Sequence, residues 1–305
     1  MRDAFVQALL AHAHADKRIM LVTGDLGFGV LTAFSQELPE QFINAGVAEQ
    51  NMMGLSAGLA IEGRNVFTYS IANFPTIRCL EQIRNDVCYH GISVNVVAIG
   101  GGFSYGSLGM SHHATEDISI MRSLPGLRVF APCDELETVA LLQQMVDDPA
   151  PTYLRLDKSK VTGDQGEPFF AEDLRQLRQG HDVAIVGYGG ILVEAIAASE
   201  FLELEGIYCS VYSAHTLKPF NGKTLIQLAQ NYNAILTLEE HVPTGGLGSI
   251  AADIFVDAGT MPNRFSRMCL PDSYSAIVGS QEYLRMRHGL DVAGIVARVR
   301  HLTAT

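Results

Sequence analysis

The sequence predicts an α/β protein built from two doubly wound domains, and three features carry that expectation. Short apolar runs alternate with longer helical stretches from the start of the chain. The runs are apolar almost throughout, which implies parallel strands covered on both faces of their sheet. The alternation also stops once, between Asp157 and Gly180, where KSKVTGDQGEP and the charged residues after it lack a sustained apolar period, and then resumes. The domains are therefore expected at 1–160 and 181–305, with a linker at 161–180.

Taken in order, the opening stretch MRDAFVQALLAHAHADKR is amphipathic, with an early Asp and later basic residues, and predicts a helix to about Asp16. It lacks the apolar core of a secretory leader. A short buried strand follows at 19–22, then the loop Gly24-Asp25-Leu26-Gly27-Phe28-Gly29. A second short strand beginning at Phe42 turns into a glycine-rich helix at 48–61, with Glu49 at the turn. Strands at 65–68, 94–99 and 127–130 are separated by helices near 76–89 and 134–145. In the second half the order is strand 182–187, helix 191–204, strand 207–212, helix 223–230, strand 234–238 and a helix after Gly245.

Composition narrows the function. The length of 305 residues suits two domains, and an apolar fraction of 48% allows each a full core. A formal charge of -12 argues against a nucleic-acid surface, which needs clustered Lys and Arg to neutralise phosphates. Five cysteines, an odd number without a CxxC pair, indicate neither a disulfide framework nor a zinc site, and read as reduced thiols in a cytoplasmic protein. No apolar run is long enough to span a membrane. His112, His113, Glu116 and Asp117 lack any metal-ligand spacing, so no metal is expected on this chain. Gly187-Tyr188-Gly189-Gly190 lacks the full dinucleotide spacing.

The most informative segment is Val47-Ala48-Glu49-Gln50-Asn51-Met52, followed by Gly54, Gly58 and Gly63. A glutamate there could do no more than favour a helix N-terminus through the macrodipole. The segment also resembles the pyrimidine-binding domain of thiamin-diphosphate enzymes of the transketolase family, whose matching glutamate hydrogen-bonds the cofactor's aminopyrimidine ring and activates it. That resemblance implies the same role for Glu49. Phe74 matches a ring-stacking aromatic, Ile71 stands where a second phenylalanine is common, and Tyr69 lies close enough to compensate. Asp25 and Leu26 match an Asp-Leu pair at the cofactor interface. In the glycine-rich run from Gly100 to His113, His112 matches a histidine that meets the donor sugar's hydroxyls. Arg2 and Arg155 match arginines that grip a sugar phosphate, and guanidinium forks suit phosphate. Three positions depart from the pattern: Gly29 replaces a phosphate-binding serine, Gly100 a histidine, and Leu108 a hydroxyl-binding aspartate.

In the second half, His215-Thr216-Leu217-Lys218-Pro219, Leu238-Glu239-Glu240-His241 and Gly245-Gly246-Leu247-Gly248 resemble the carboxy-terminal domain of the same family, so the resemblance covers essentially the whole chain. The Gly-Asp-Gly motif with a later Asn, which in the family holds the diphosphate through Mg²⁺, does not occur. The resemblance therefore implies a split enzyme that begins at Met1-Arg2-Asp3. A partner, the N-terminal transketolase subunit, would carry the diphosphate and Mg²⁺ site, and two copies of each chain would make a heterotetramer. The expected reaction is transfer of a two-carbon ketol unit from a ketose to an aldose, on sugars or sugar phosphates. The alternatives are the β subunit of a 2-oxo-acid dehydrogenase, a likeness to deoxyxylulose-phosphate synthase, and a non-catalytic assembly subunit.

Overall fold

The computed structural model describes residues 1–161 and 173–304. Its strands are β1 (Ile19–Thr23), β2 (Phe42–Asn44), β3 (Asn65–Ile71), β4 (Val94–Ile99), β5 (Arg128–Phe130), β6 (Thr152–Leu156), β7 (Arg175–Arg178), β8 (Val183–Gly187), β9 (Cys209–Ser213), β10 (Thr216–Lys218), β11 (Ala234–Leu238) and β12 (Arg264–Met268). They form two sheets, β10-β5-β6-β4-β3-β1-β2 and β12-β11-β8-β9-β7. Pairing is parallel except at one edge of each sheet, where β10 runs against β5 and β7 against β9.

Strands such as β4 and β8 are buried at every position, which is why they read as unbroken apolar runs. One face of the first sheet packs Ile19, Leu21, Phe67 and Leu154 under the helix Arg2–Ala15, whose Phe5 and Leu9 are fully buried. The opposite face shares a single core with the second sheet, in which Val66, Val94 and Val129 join Val186, Leu225 and Phe255. In the first sheet β2 lies on one side of β1 and β3 on the other. The strand order thus reverses at β1, and a crevice opens at the carboxyl ends of β1, β2 and β3.

The structure departs from the sequence reading in four places. Strand β6 leaves no clear signal in the sequence, because Thr152 and Arg155 interrupt its apolar pattern; both are buried and satisfied by neighbours. Strand β7 falls inside the expected linker, whose positions 162–172 lie outside the described residues. Strand β10 comes from the second half of the chain yet completes the first sheet, with Ala131 donating its N–H to His215 O at 2.8 Å. The helix expected over 76–89 is a 3₁₀ turn at Ile77–Cys79, one α turn and a π-helical turn at Ile83–Cys88. Gln50 takes the Arg78 carbonyl at 3.1 Å, in the turn where the regular ladder gives way. None of the described helices is long and apolar enough to cross a membrane.

A buried network of charges ties the sheets together. Arg155, only 2% exposed, sets its Nε 3.7 Å from Asp117 and 3.6 Å from Asp157, and its Nη1 donates to the Tyr188 hydroxyl at 3.2 Å. That hydroxyl donates to Glu239, which also accepts the N–H groups of Leu247 and Gly248. Burial is the largest influence on Asp157 and Glu239 and pushes both carboxyls up. Arg285 closes the network on Glu240 at 2.9 Å. Gly101 is required beside it, since a Cβ there would sit 1.8 Å from Arg155 Nε. Arg155→Ala strands two buried carboxylates without their cation. It is expected to cost about 3–5 kcal/mol of unfolding free energy in urea titration, with Arg155→Lys recovering part of it.

Acidity bears on the fold through two histidines stacked against Phe103. Burial holds His113 and His288 below the ordinary value of 6.5. The unfolded chain takes protons that the folded imidazoles refuse, so their contribution is complete above pH 6.5 and is lost as pH falls below it. Urea midpoints measured at pH 7.5 and 5.5 should show this decline, and His113→Gln should reduce it.

Candidate active site

Three loops meet in the crevice. The first, after β1, carries Asp25 at φ +60°, Gly27 at +85° and Gly29 at +78°, a left-handed path that glycine makes cheap. The second, after β2, turns at Gly46 and enters the helix Glu49–Ile61. The third, after β3, runs through Ile71, Ala72 and Asn73 to Phe74. Asn44 ties the first two together: its Oδ1 accepts the N–H groups of Asp25 and Gly46, each at 3.0 Å, and its Nδ2 donates to Asp25 Oδ1 at 3.0 Å. Asp25 is thereby held in its strained conformation with its carboxylate turned to Asn44. Thr23 supports the same loop by donating to Leu26 O at 3.0 Å. Asn73 bonds the carbonyl of His113, joining the third loop to the histidine segment.

Glu49 is the first residue of its helix, where unpaired N–H groups favour negative charge, and is only 6% exposed. Arg78 places Nη1 3.3 Å from both of its oxygens. The same guanidinium lies over the Phe74 ring, 4.1 Å from its centroid. His112 meets the other side of this group, its ring edge-on to Phe74 at 5.2 Å, with Nδ1 3.0 Å from Ser111 Oγ. A cleft of about 520 Å³ opens in front of Glu49, lined by Val47, Ala48, Gln50, Asn51 and Arg78.

The structure thus brings Glu49, Phe74 and His112 together, with Asp25, Leu26 and Ile71 on the bordering loops. Tyr69 is 4% exposed and lies beneath Gly27, so it supports the first loop from below; burial pushes its hydroxyl up. Arg2 is exposed, with Nε on Asp3 at 2.8 Å, and lines a neighbouring cleft of about 280 Å³ with Lys158 and Lys160. Arg155 corrects the sequence expectation: it is enclosed in the inter-sheet network, where two carboxylates take up its charge. Of the three departures, Leu108 is 54% exposed, nothing stands near Gly29, and Gly100 is covered by the Tyr105 ring. Arg78 and Asn44 escaped sequence reasoning. An arginine four residues after a candidate stacking aromatic was the available signal for Arg78; Asn44 had none.

Whether the residues suit the expected coenzyme can be judged from Arg78. Its guanidinium is a flat group bearing N–H donors, and it rests on Phe74 while reaching Glu49. An aminopyrimidine has the same flatness and donors, so thiamin's ring fits this place. The residues do not suit Mg²⁺. Among the described residues the candidate metal cluster is Cys133, Asp134 and Glu137. Arg175 bridges its two carboxylates at 2.6 and 3.3 Å, and burial pushes the Cys133 thiol well up and keeps it protonated.

Comparison with known proteins agrees with this geometry. Residues 1–163 match the family described as "Transketolase, pyrimidine binding domain" and residues 172–295 the family "Transketolase, C-terminal domain". One of the two subunits of an apulose-4-phosphate transketolase from Phocaeicola vulgatus is 34% identical over 299 residues, covering 96% of this chain and 94% of the relative. The 6-deoxy-6-sulfo-D-fructose transketolase subunit SqwH of a Clostridium species is 34% identical over 306 residues, covering 99% and 94%. A solved structure titled "Split gene transketolase, inactive beta4 tetramer" superposes with a TM-score of 0.86 at 32% identity, covering 99% of this chain and 97% of that one. The 1-deoxy-D-xylulose-5-phosphate synthase 1 of Geobacter sulfurreducens is 33% identical, but there the match covers 46% of the relative. Both family matches, in this order and on a chain of subunit length, make this protein a member of the transketolase family: the carboxy-terminal subunit of a split transketolase.

Proposed function

We propose that this chain supplies the pyrimidine side of a thiamin diphosphate pocket completed by a partner subunit, and that the pair transfers a two-carbon ketol unit from a ketose to an aldose. The observation that carries the proposal is Glu49, nearly dry at a helix N-terminus with a flat nitrogen-bearing group stacked on Phe74 against it. When bound, thiamin diphosphate supplies the nucleophilic carbon that the protein lacks. Glu49 is the residue that holds and returns a proton at the aminopyrimidine, the low dielectric around it strengthening that hydrogen bond. Phe74 and Ile71 wall the ring, Asp25 and Leu26 border it, and Tyr69 braces the loop beneath. His112 orients the donor's hydroxyls from beside Phe74, and Arg2 faces the far end of the sugar.

The substrate side of the proposal rests on the relatives. One is named for a sugar phosphate and the other for a sulfo sugar. Both names describe a terminal tetrahedral oxyanion. We assign this chain a ketose donor of that class. Mg²⁺ and the diphosphate belong, in this reading, to an N-terminal transketolase subunit, with two copies of each chain in a cytoplasmic heterotetramer. The 2-oxo-acid dehydrogenase alternative is not favoured by these relatives.

The chain mixed with that partner, Mg²⁺ and thiamin diphosphate should give ketose-dependent two-carbon transfer, and neither chain should do so alone. Glu49→Gln should lower kcat by about 10³-fold while leaving the melting temperature of the chain within a few degrees. A Glu49→Gln complex as active as the parent would instead favour the assembly-subunit reading.

A further inference from the structure

Gly100 stands where the family's usual histidine is missing, and the structure shows what took its place. The Tyr105 ring lies flat on the Gly100 backbone: a Cβ at position 100, itself at φ +99°, would fall 2.2 Å from Tyr105 Cε2. On the ring sits Lys158, its Nζ 3.6 Å from the centroid. An ammonium held on an aromatic face keeps N–H groups directed away from that face, free for another acceptor.

The surrounding charges single this lysine out. In the cleft it shares with Arg2, Lys160 is bonded to Glu135 and Asp157 accepts the Gly190 N–H. Lys158 has no carboxylate partner among the described residues. Arg2 spends only its Nε on Asp3. The two cations face the same space closely enough to repel: burial, and after it the charge of Arg2, draws the Lys158 amine below its ordinary value. Two like charges kept together with unspent donors are stabilised by an anion between them. The position relative to the reacting end is also suitable. From Glu49 the groups run through Phe74 and His112 to Tyr105, whose ring lies 6.4 Å from that of His112, and end at Lys158.

Resting on the ketol-transfer reading for the identity of the substrate, we propose that Lys158, seated on Tyr105 over Gly100, and Arg2 form the subsite for the terminal tetrahedral oxyanion of the donor ketose. Tyr105 fills the space of the absent histidine, and Lys158 supplies the charge. The shared chemistry covers a phosphate ester and a sulfonate.

The test has a kinetic arm and a binding arm. In the reconstituted two-chain enzyme, Lys158→Ala should raise KM ten- to hundredfold for a ketose ending in phosphate or sulfonate. Relative to a neutral ketose, selectivity should fall by the same factor, and Lys158→Arg should restore most of it. Lys160→Ala removes one positive charge from the same cleft and should shift KM less than threefold. Equal loss toward neutral and anionic ketoses, or equal effects of the two lysine variants, would overturn the proposal. The binding arm needs no turnover: the full chain is titrated calorimetrically with inorganic phosphate and, separately, with methanesulfonate. Lys158→Ala should weaken at least one of them tenfold or more, and whichever weakens identifies the oxyanion; unchanged affinity for both overturns the subsite. A parent complex that transfers no ketol unit, yet whose phosphate binding depends on Lys158, would refute the catalytic reading and leave the anion site standing.

Discussion

A carboxylate withdrawn from water must be met by positive charge or by N–H donors, or its burial costs more than a fold of this size can spare. Glu49 meets that condition in two ways at once, through the open end of its helix and through Arg78. Much of the surrounding architecture follows. The strand order reverses at β1 so that three loops end at one place. Gly46 allows the sharp entry into the helix, and Asn44 holds the Asp25 loop against it. The Arg78 guanidinium rests on Phe74, so the ring positions the cation that neutralises the acid.

The second sheet works at a distance. The segment that carries His112 has little regular structure of its own and is supported from behind. A Cβ at Gly106 would press on Leu284, and one at Gly102 on Glu240; Gly102 also pairs with Ala114 across the loop. The close approach of glycine backbone to the second domain fixes the loop, and the network around Arg155 keeps the two domains in register. An arginine that could have faced substrate serves as a structural ion. The far end of the sugar pocket is left to residues of the exposed cleft, Arg2 and Lys158.

These replacements form a coherent set. Losing a side chain at Gly100 makes room for Tyr105, and an aromatic face there gives a lysine from the end of β6 somewhere to rest. The reaction end, by contrast, keeps its glutamate, its aromatic and its histidine. Chemistry at the coenzyme constrains residue identity tightly. Recognition of a distant anion can be met by several arrangements of cations, because charge acts over longer range and with less angular demand than a shared proton.

The sequence by itself determined the fold class, most strand positions in the parallel sheets, and the residues closest to the coenzyme. Buried parallel strands write an unbroken apolar signal, and Glu49 lies in a motif too specific to miss. It did not reveal β6, β7 or β10, since an interior strand holding Thr152 and Arg155 and the short edge strands depend on distant partners for their hydrogen bonds. Nor did it distinguish Arg155 from Arg2: both read as phosphate ligands, and only the packing of the sheets showed one enclosed by Asp117 and Asp157 and the other open to solvent. Arg78, Asn44 and Lys158 were silent for the same physical reason. A side chain's local sequence sets its chemistry, but which charges and rings it meets is decided by strands and loops that come together only when the chain folds.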